Sequence, residues 1–247
     1  MPIETYPFNL DRENLEIFPS RIWQDPNVVF HGTSEFYSLE IERRGFTPST
    51  SPFNLDDARE LIRILQLPEI LPFDRPQAFG MTVSQSLSNY VEAIENNNFR
   101  LSFAYLSCLC IFFSTGNSKG GQTLGNVRIA KSIIEEAISR NQEISELITE
   151  PITRIFELEN SVFNANGIIY AIRLELPYDG ITDEYGTIHS TKSIPPNTII
   201  GKVILPNEIN LDGITSNMAK QKNIKKIALP NHLGTFLNRI AINEDDD

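Results

Sequence analysis

The chain has 247 residues, 40% of them hydrophobic and 21% charged, which is enough apolar material for a large domain and excludes a disordered polymer. Its formal net charge of −11 gives no general electrostatic help toward nucleic acid or anionic lipid. No apolar run approaches the ~20 residues that cross a bilayer, and the stretch from Met1 to Thr5 opens no secretory signal, so a cytoplasmic chain without a membrane partner is expected.

Residues 1–26 carry Pro2, Pro7, Pro19 and Pro26 and read as a lead-in with a short helix near Arg12 to Ile17. Val28-Val29-Phe30 then reads as a strand that delivers His31-Gly32-Thr33 into a turn, and a brief helix near Phe36 to Arg44 is stopped by Gly45. Thr47 to Pro52 is turn-rich. A helix capped by Asn54 or Asp56 follows, its Ala58, Leu61, Ile62 and Leu65 at helical spacing until Pro68. The prolines at 68, 72 and 76 argue for an irregular loop, and Ser84 to Asn96 for a helix with Ser84 as cap and Leu87, Tyr90, Val91 and Ile94 on its inner face.

A strand is expected from Phe99 to Phe103, an apolar helix from Leu106 to Thr115, and a flexible loop from Gly116 to Gln122. Asn126 to Asn141 is amphipathic, with Val127, Ala130, Ile133, Ile134, Ala137 and Ile138 inward. A helix from about Ile144 to Phe163, interrupted near Pro151, precedes the strongest strand, Gly167 to Leu176, which Pro177 to Gly180 closes as a turn. Thr187–Ser190, Ile199–Leu205 and Ile224–Leu229 are further strands. Together these give an α+β fold, one domain over residues 1–243 with an acidic tail at 244–247.

No phosphate-cradling lysine loop, nucleophile elbow or zinc spacing is present; His31, His189 and His232 lie far apart in the chain, and no metal site is expected. Cys108 and Cys110 sit two apart in one apolar run and read as buried free thiols. Lys220, Lys222, Lys225 and Lys226 form the one basic cluster and read as a solvated loop.

Three ordered stretches resemble the NAD⁺-dependent ADP-ribosyltransferase superfamily, in its branch with a His-Gly-Thr first motif. The first is Val28 to Ser34 with Gly45-Phe46 behind it. The second is Arg100 to Tyr105 running into Cys108 to Ser114, followed by Gly120-Gly121. The third is Gly167 to Leu176 and then Ser193-Ile194-Pro195-Pro196 leading to Gly201, which is similar to the family's final β-hairpin. They span about residues 27–206.

The resemblance implies a mixed, mostly antiparallel split β-sheet with several flanking helices. It also implies a mono-ADP-ribosyltransferase that moves ADP-ribose from NAD⁺, its co-substrate, to a macromolecular acceptor, either protein or nucleic acid. His31 would bond a ribose hydroxyl, Gly32 would bring its backbone to the nicotinamide amide, and Thr33 or Ser34 would steady the turn. Ser102, Phe103, Tyr105 and Phe112 would complete the cofactor contacts, the aromatics against the nicotinamide ring. Active members carry a Glu ahead of the Ile-Pro-Pro turn, and counting back from Ile194 that position holds Thr187. Either Glu184 (beside Asp183) reaches the site from another register, or the position is not acidic. Family habit suggests an intracellular toxin or anti-phage defence effector with a neutralising partner protein. The missing Glu suggests the alternative, a catalytically inactive NAD⁺- or ADP-ribose-binding module or interaction protein.

Overall fold

A computed structural model describes residues 3–10, 16–48, 51–76, 80–115, 119, 121–174, 181–182, 187–206 and 209. The chain is α+β and divides into two compact units. One comprises residues 1–47, 100–115 and 166–247, the other residues 48–99 and 116–165.

The first unit is built on a sheet of β1 (Glu4–Tyr6), β2 (Val28–Ser34), β3 (Leu101–Ala104), β4 (Gly167–Arg173), β5 (Ile181–Thr182), β6 (Thr187–Ser190) and β7 (Ile199–Leu205). Their order is β1-β7-β4-β2-β3-β6-β5. The sheet is mixed, which corrects the expectation of a mostly antiparallel one: β1 joins β7 in parallel, with Glu4 opposite Gly201 and Tyr6 opposite Val203. Strands this distant in sequence are joined by no hairpin, so nothing local forces them antiparallel. The lead-in therefore supplies a strand where none was expected. Its one described helix is α1 (Ser20–Trp23), and Glu16 and Ile17 lie outside any helix.

The strand that opens on Val28 does not stop at the histidine. It runs to Ser34, because β4 pairs with it residue by residue from Val28↔Arg173 to Ser34↔Gly167. His31-Gly32-Thr33 is thus strand, not turn, and the turn comes one step later in a short 3-10 helix, Glu35–Tyr37. Ser34 caps that helix, its Oγ accepting the Phe36 amide at 3.3 Å. Helix α2 (Ser38–Arg44) follows and ends at Gly45, whose φ of +78° suits a residue without Cβ. Between β2 and β3 the ladder holds one pair, Phe30↔Ala104.

Alternation along the strands sorts two apolar layers. Val28, Phe30, Ala104, Ile169, Ala171, Val203 and Leu205 pack with Cys108, Cys110 and Ile111 of α5 (Ser107–Ser114) and with Ile17, Phe18 and Ile22. Val29, Phe103, Ile168, Tyr170, Ile172 and Ile188 pack with Phe46 and Ile194 on the other side. The Ile-Pro-Pro segment does not close a hairpin. It joins β6, which pairs with β3 and β5, to β7, which pairs with β4 and β1.

The second unit is helical: α3 (Leu55–Leu65), α4 (Val83–Glu95), α6 (Gly121–Arg140) and α7 (Glu150–Asn164). Asn54 caps α3, its Oδ1 accepting the Asp56 amide at 2.8 Å. Thr82, not Ser84, caps α4 in a capping box with Gln85. Helix α6 starts at Gly121, earlier than the expected Asn126, because Leu124 is already fully buried and extends the apolar stripe past the glycines. Pro151 lies in the first turn of α7, where its missing N–H costs nothing, and so starts the helix instead of interrupting it. Among the described residues no helix is long and apolar enough to cross a membrane. The expected turn at 177–180, the strand at 224–229, the lysine cluster at 220–226, His232 and the acidic tail lie outside the described residues.

Candidate functional site

The site is organised by the point where β2 and β3 part. Past Phe30↔Ala104 no further ladder pair joins these strands, and the His31 side chain bridges them instead. Its Nδ1 lies 2.9 Å from the Ser102 carbonyl oxygen. A carbonyl accepts only, so Nδ1 carries the proton and donates. In the neutral ring Nε2 is then an acceptor. Among the described residues Nε2 has no hydrogen-bond partner.

Aromatic rings hold the imidazole in place. Phe46 meets it edge-on with centroids 4.8 Å apart, and Phe103 lies tilted at 5.6 Å. Phe46 also contacts Phe103 at 5.9 Å and Tyr170 at 5.8 Å. Burial among these groups depresses the His31 pKa below its ordinary 6.5, and the hydrogen bond to the Ser102 carbonyl works in the opposite direction. The half-buried ring is therefore neutral at neutral pH.

Ser102 has a second link. Its exposed hydroxyl lies 3.0 Å from Nδ1 of the half-buried His189, its register partner on β6. Two of the three histidines scattered through the sequence thus meet one serine, through its carbonyl and its hydroxyl. The β3–β6 register brings His189 to Ser102, the His31 side chain reaches Ser102 across the gap between β2 and β3, and no spacing rule in the sequence would have shown either.

On the row of His31, β4 contributes Tyr170 and β7 contributes Lys202. Glu42 of α2 joins them: its Oε1 accepts the Tyr170 hydroxyl at 3.1 Å and the Lys202 ammonium at 2.6 Å. Burial, and next the nearby Glu42 charge, push the Tyr170 phenol up from its ordinary value. Sequence reading named Phe46 only as part of the first motif and gave no site role to Phe46, Tyr170, Glu42 or Lys202. The one usable signal was alternation, which puts Tyr170 on an inward face of a strand whose neighbours are all aliphatic.

The remaining sequence candidates divide. Gly32 faces α5: a Cβ there would lie 2.4 Å from both the Cys110 carbonyl oxygen and Ser114 Oγ. Burial pushes the Cys110 thiol of that helix well above its ordinary pKa, with the nearby Gly32 backbone working in the opposite direction. Both cysteines are free and buried. Thr33 is buried, Phe103 is fully buried beneath His31, and Tyr105 packs at the margin of the same apolar layer. Phe112 belongs to α5, whose Cys108, Cys110 and Ile111 pack on the sheet face away from Phe103. The backbone of Thr187 stands opposite Ala104, so it shares a row with Phe30, one step from His31. Asp183 and Glu184 lie outside the described residues. Among the described residues no group of three or more His, Cys, Asp or Glu could hold a metal ion.

No known family model matches the chain, and no curated protein and no solved structure matches it. What stands for the site is therefore its own chemistry. It offers a neutral, oriented imidazole with an acceptor nitrogen toward any ligand hydroxyl, flanked by aromatic rings, at a gap in the sheet ladder.

Proposed function

We propose that the chain binds NAD⁺ and acts as a mono-ADP-ribosyltransferase on a macromolecular acceptor. The observation that carries this reading is the His31–Ser102 bond across the gap between β2 and β3. It commits Nδ1 to the protein and leaves Nε2 to accept a ribose hydroxyl. Loss of nicotinamide builds positive charge on that ribose, so a histidine kept neutral by burial avoids the repulsion an imidazolium would exert. Tyr105, partly buried at the margin of the layer, offers apolar surface on which a nicotinamide ring can be oriented before it leaves, while the buried Phe103 and Phe46 hold the His31 ring from behind. In this reading Glu184 supplies the carboxylate that stabilises the cation.

A second reading has one observation in its favour. The position seven residues before Ile194 is Thr187, and its backbone stands opposite Ala104 in the row of Phe30, not in the row of His31, so this position brings no carboxylate to the His31 face. A module that binds NAD⁺ or ADP-ribose without turning it over would need no carboxylate.

Calorimetric titration with NAD⁺, run beside a nicotinamide-release assay on wild type, His31→Ala and Glu184→Gln, separates the two. Binding and release by wild type, with release lost in both variants, supports the transferase. Binding without release, abolished by His31→Ala, selects the silent module. Absence of binding overturns both.

A further inference from the structure

In the second unit, where α6 packs on α7, three cations gather near a single carboxylate. Glu159 is buried, and its oxygens lie 3.8 Å from Arg128 Nε and 3.6 Å from Lys131 Nζ. Both separations allow charge attraction but are too long for hydrogen bonds. The third cation, Lys119, is buried and donates to the Phe163 and Ala165 carbonyls at 3.1 and 2.5 Å, at the end of α7.

Helical spacing sets this arrangement. Arg128 and Lys131 are three residues apart on α6, and Phe156, Glu159 and Phe163 follow at intervals of three and four on α7. Each cationic head lies over one of these rings: Arg128 Cζ is 4.5 Å from the Phe163 centroid, and Lys131 Nζ is 5.9 Å from that of Phe156. A ring and a buried carboxylate thus fix both heads together. Their side chains remain 47% and 33% exposed, so the cations stand between Glu159 and solvent.

Charge is unbalanced here, three positive groups against one negative, in a chain whose net charge is −11. Among the described residues neither Arg128 nor Lys131 has a second carboxylate within 4.0 Å, and neither head donates a hydrogen bond. Lys119 registers the crowding: burial, and next the Arg128 charge, lower its pKa from the ordinary 10.5. Like charges held together in this way are relieved by an oxyanion arriving from the solvent side. We propose that Arg128 and Lys131 form a binding site for the phosphate of a phosphomonoester, with Glu159 positioning the two heads from beneath. Arg128 supplies a planar N–H fork and Lys131 a point charge, a pair that suits a compact dianion. The charge of the whole chain opposes a long polyanion such as nucleic acid. The site is independent of the NAD⁺ reading of His31.

The test titrates the full chain with inorganic phosphate at constant ionic strength in chloride, by calorimetry and by amide shifts along α6. Saturable binding with a Kd of about 1 mM or below is expected, together with a melting temperature that rises with phosphate. Arg128→Gln and Lys131→Gln should each weaken binding about 10-fold, and Arg128→Lys, which keeps the charge but not the fork, should weaken it less. Cooperative urea unfolding of each variant separates lost binding from lost folding. A single-stranded oligonucleotide without a terminal phosphate forms the second arm. No saturation by about 10 mM phosphate, or equal affinity in wild type and both glutamine variants, overturns the proposal. So does an oligonucleotide that binds more tightly than phosphate through the same two residues, since the site would then be a nucleic-acid backbone contact.

Discussion

Gly32 and Ser114 share a space that no side chain can enter: a Cβ on Gly32 would lie 2.4 Å from Ser114 Oγ, and as close to the Cys110 carbonyl. Ser114 is itself held, donating to the Cys110 carbonyl at 2.7 Å and to the Ile168 carbonyl at 3.1 Å. Backbone cannot rotate away, so Gly32→Ala must push α5 off the sheet. It should destabilise the chain by about 1–3 kcal/mol, measured by urea denaturation. Gly167→Ala should behave alike, because its Cβ would meet the Ser114 carbonyl at 2.3 Å. Loss of ligand binding in Gly32→Ala would therefore report packing before it reported a nicotinamide contact.

The depressed His31 pKa makes a different prediction, about pH. The unfolded imidazole takes up a proton as pH falls through about 6.5, while the folded one resists until a lower pH. Over that window the unfolded state binds more protons, so stability falls with falling pH. His31→Gln keeps a donor for the Ser102 carbonyl but cannot titrate. The difference in melting temperature between wild type and His31→Gln should therefore move against wild type as pH drops below about 6.5. Phe46→Ala, by wetting the ring, should move the His31 titration upward in NMR; an unmoved titration would mean Phe46 is not what buries it.

How much of this was legible in the sequence depends on range. Gly45 at the end of α2, Asn54 at the head of α3, and the inner faces Leu87–Tyr90–Val91–Ile94 and Val127–Ala130–Ile134–Ala137 are set by neighbours within two turns, and they read correctly. The extent of β2 did not, because what carries the strand through His31-Gly32-Thr33 is pairing with β4, whose residues lie far along the chain. A glycine flanked by polar residues signals a turn locally, and the ladder overrides that signal. β1 failed for the same reason, its partner being β7 at the far end of the described chain. At the site, His31 could be singled out as a strand histidine. Its tautomer, its aromatic collar and its link through Ser102 to His189 all come from residues far along the chain, brought together by strand register and by packing across the gap between β2 and β3.

In the second unit, the carboxylate of Asp74 is buried against the start of α4 and accepts the Val83 amide at 2.8 Å and the Ser84 amide at 3.1 Å. Thr82 and Gln85 already serve the same turn as a capping box, so Asp74 satisfies donors that the box does not reach. Asp74→Ala strands two buried amides and should cost about 2 kcal/mol in chemical denaturation, while Asp74→Asn, which keeps one acceptor oxygen, should cost less.

Glu42 offers the sharpest link between stability and site. It ties α2 to two strands at once, through Tyr170 and Lys202, on the row where Phe46 leans against His31. Tyr170→Phe removes one donor and leaves the ion pair with Lys202 intact, so its cost should stay near 1 kcal/mol. Glu42→Leu is worse, because it leaves a buried phenol hydroxyl and a largely covered ammonium without their shared acceptor; about 2–3 kcal/mol is expected. With Tyr170→Phe already in place, Glu42→Leu should cost measurably less than it does alone, since the phenol no longer needs an acceptor. A double-mutant cycle in urea reads this coupling, and costs that simply add would show that Glu42 and Tyr170 act independently. If Glu42 also holds the collar of His31, Glu42→Leu should shift the His31 titration in the same direction as Phe46→Ala, whereas Tyr170→Phe should leave it where it is.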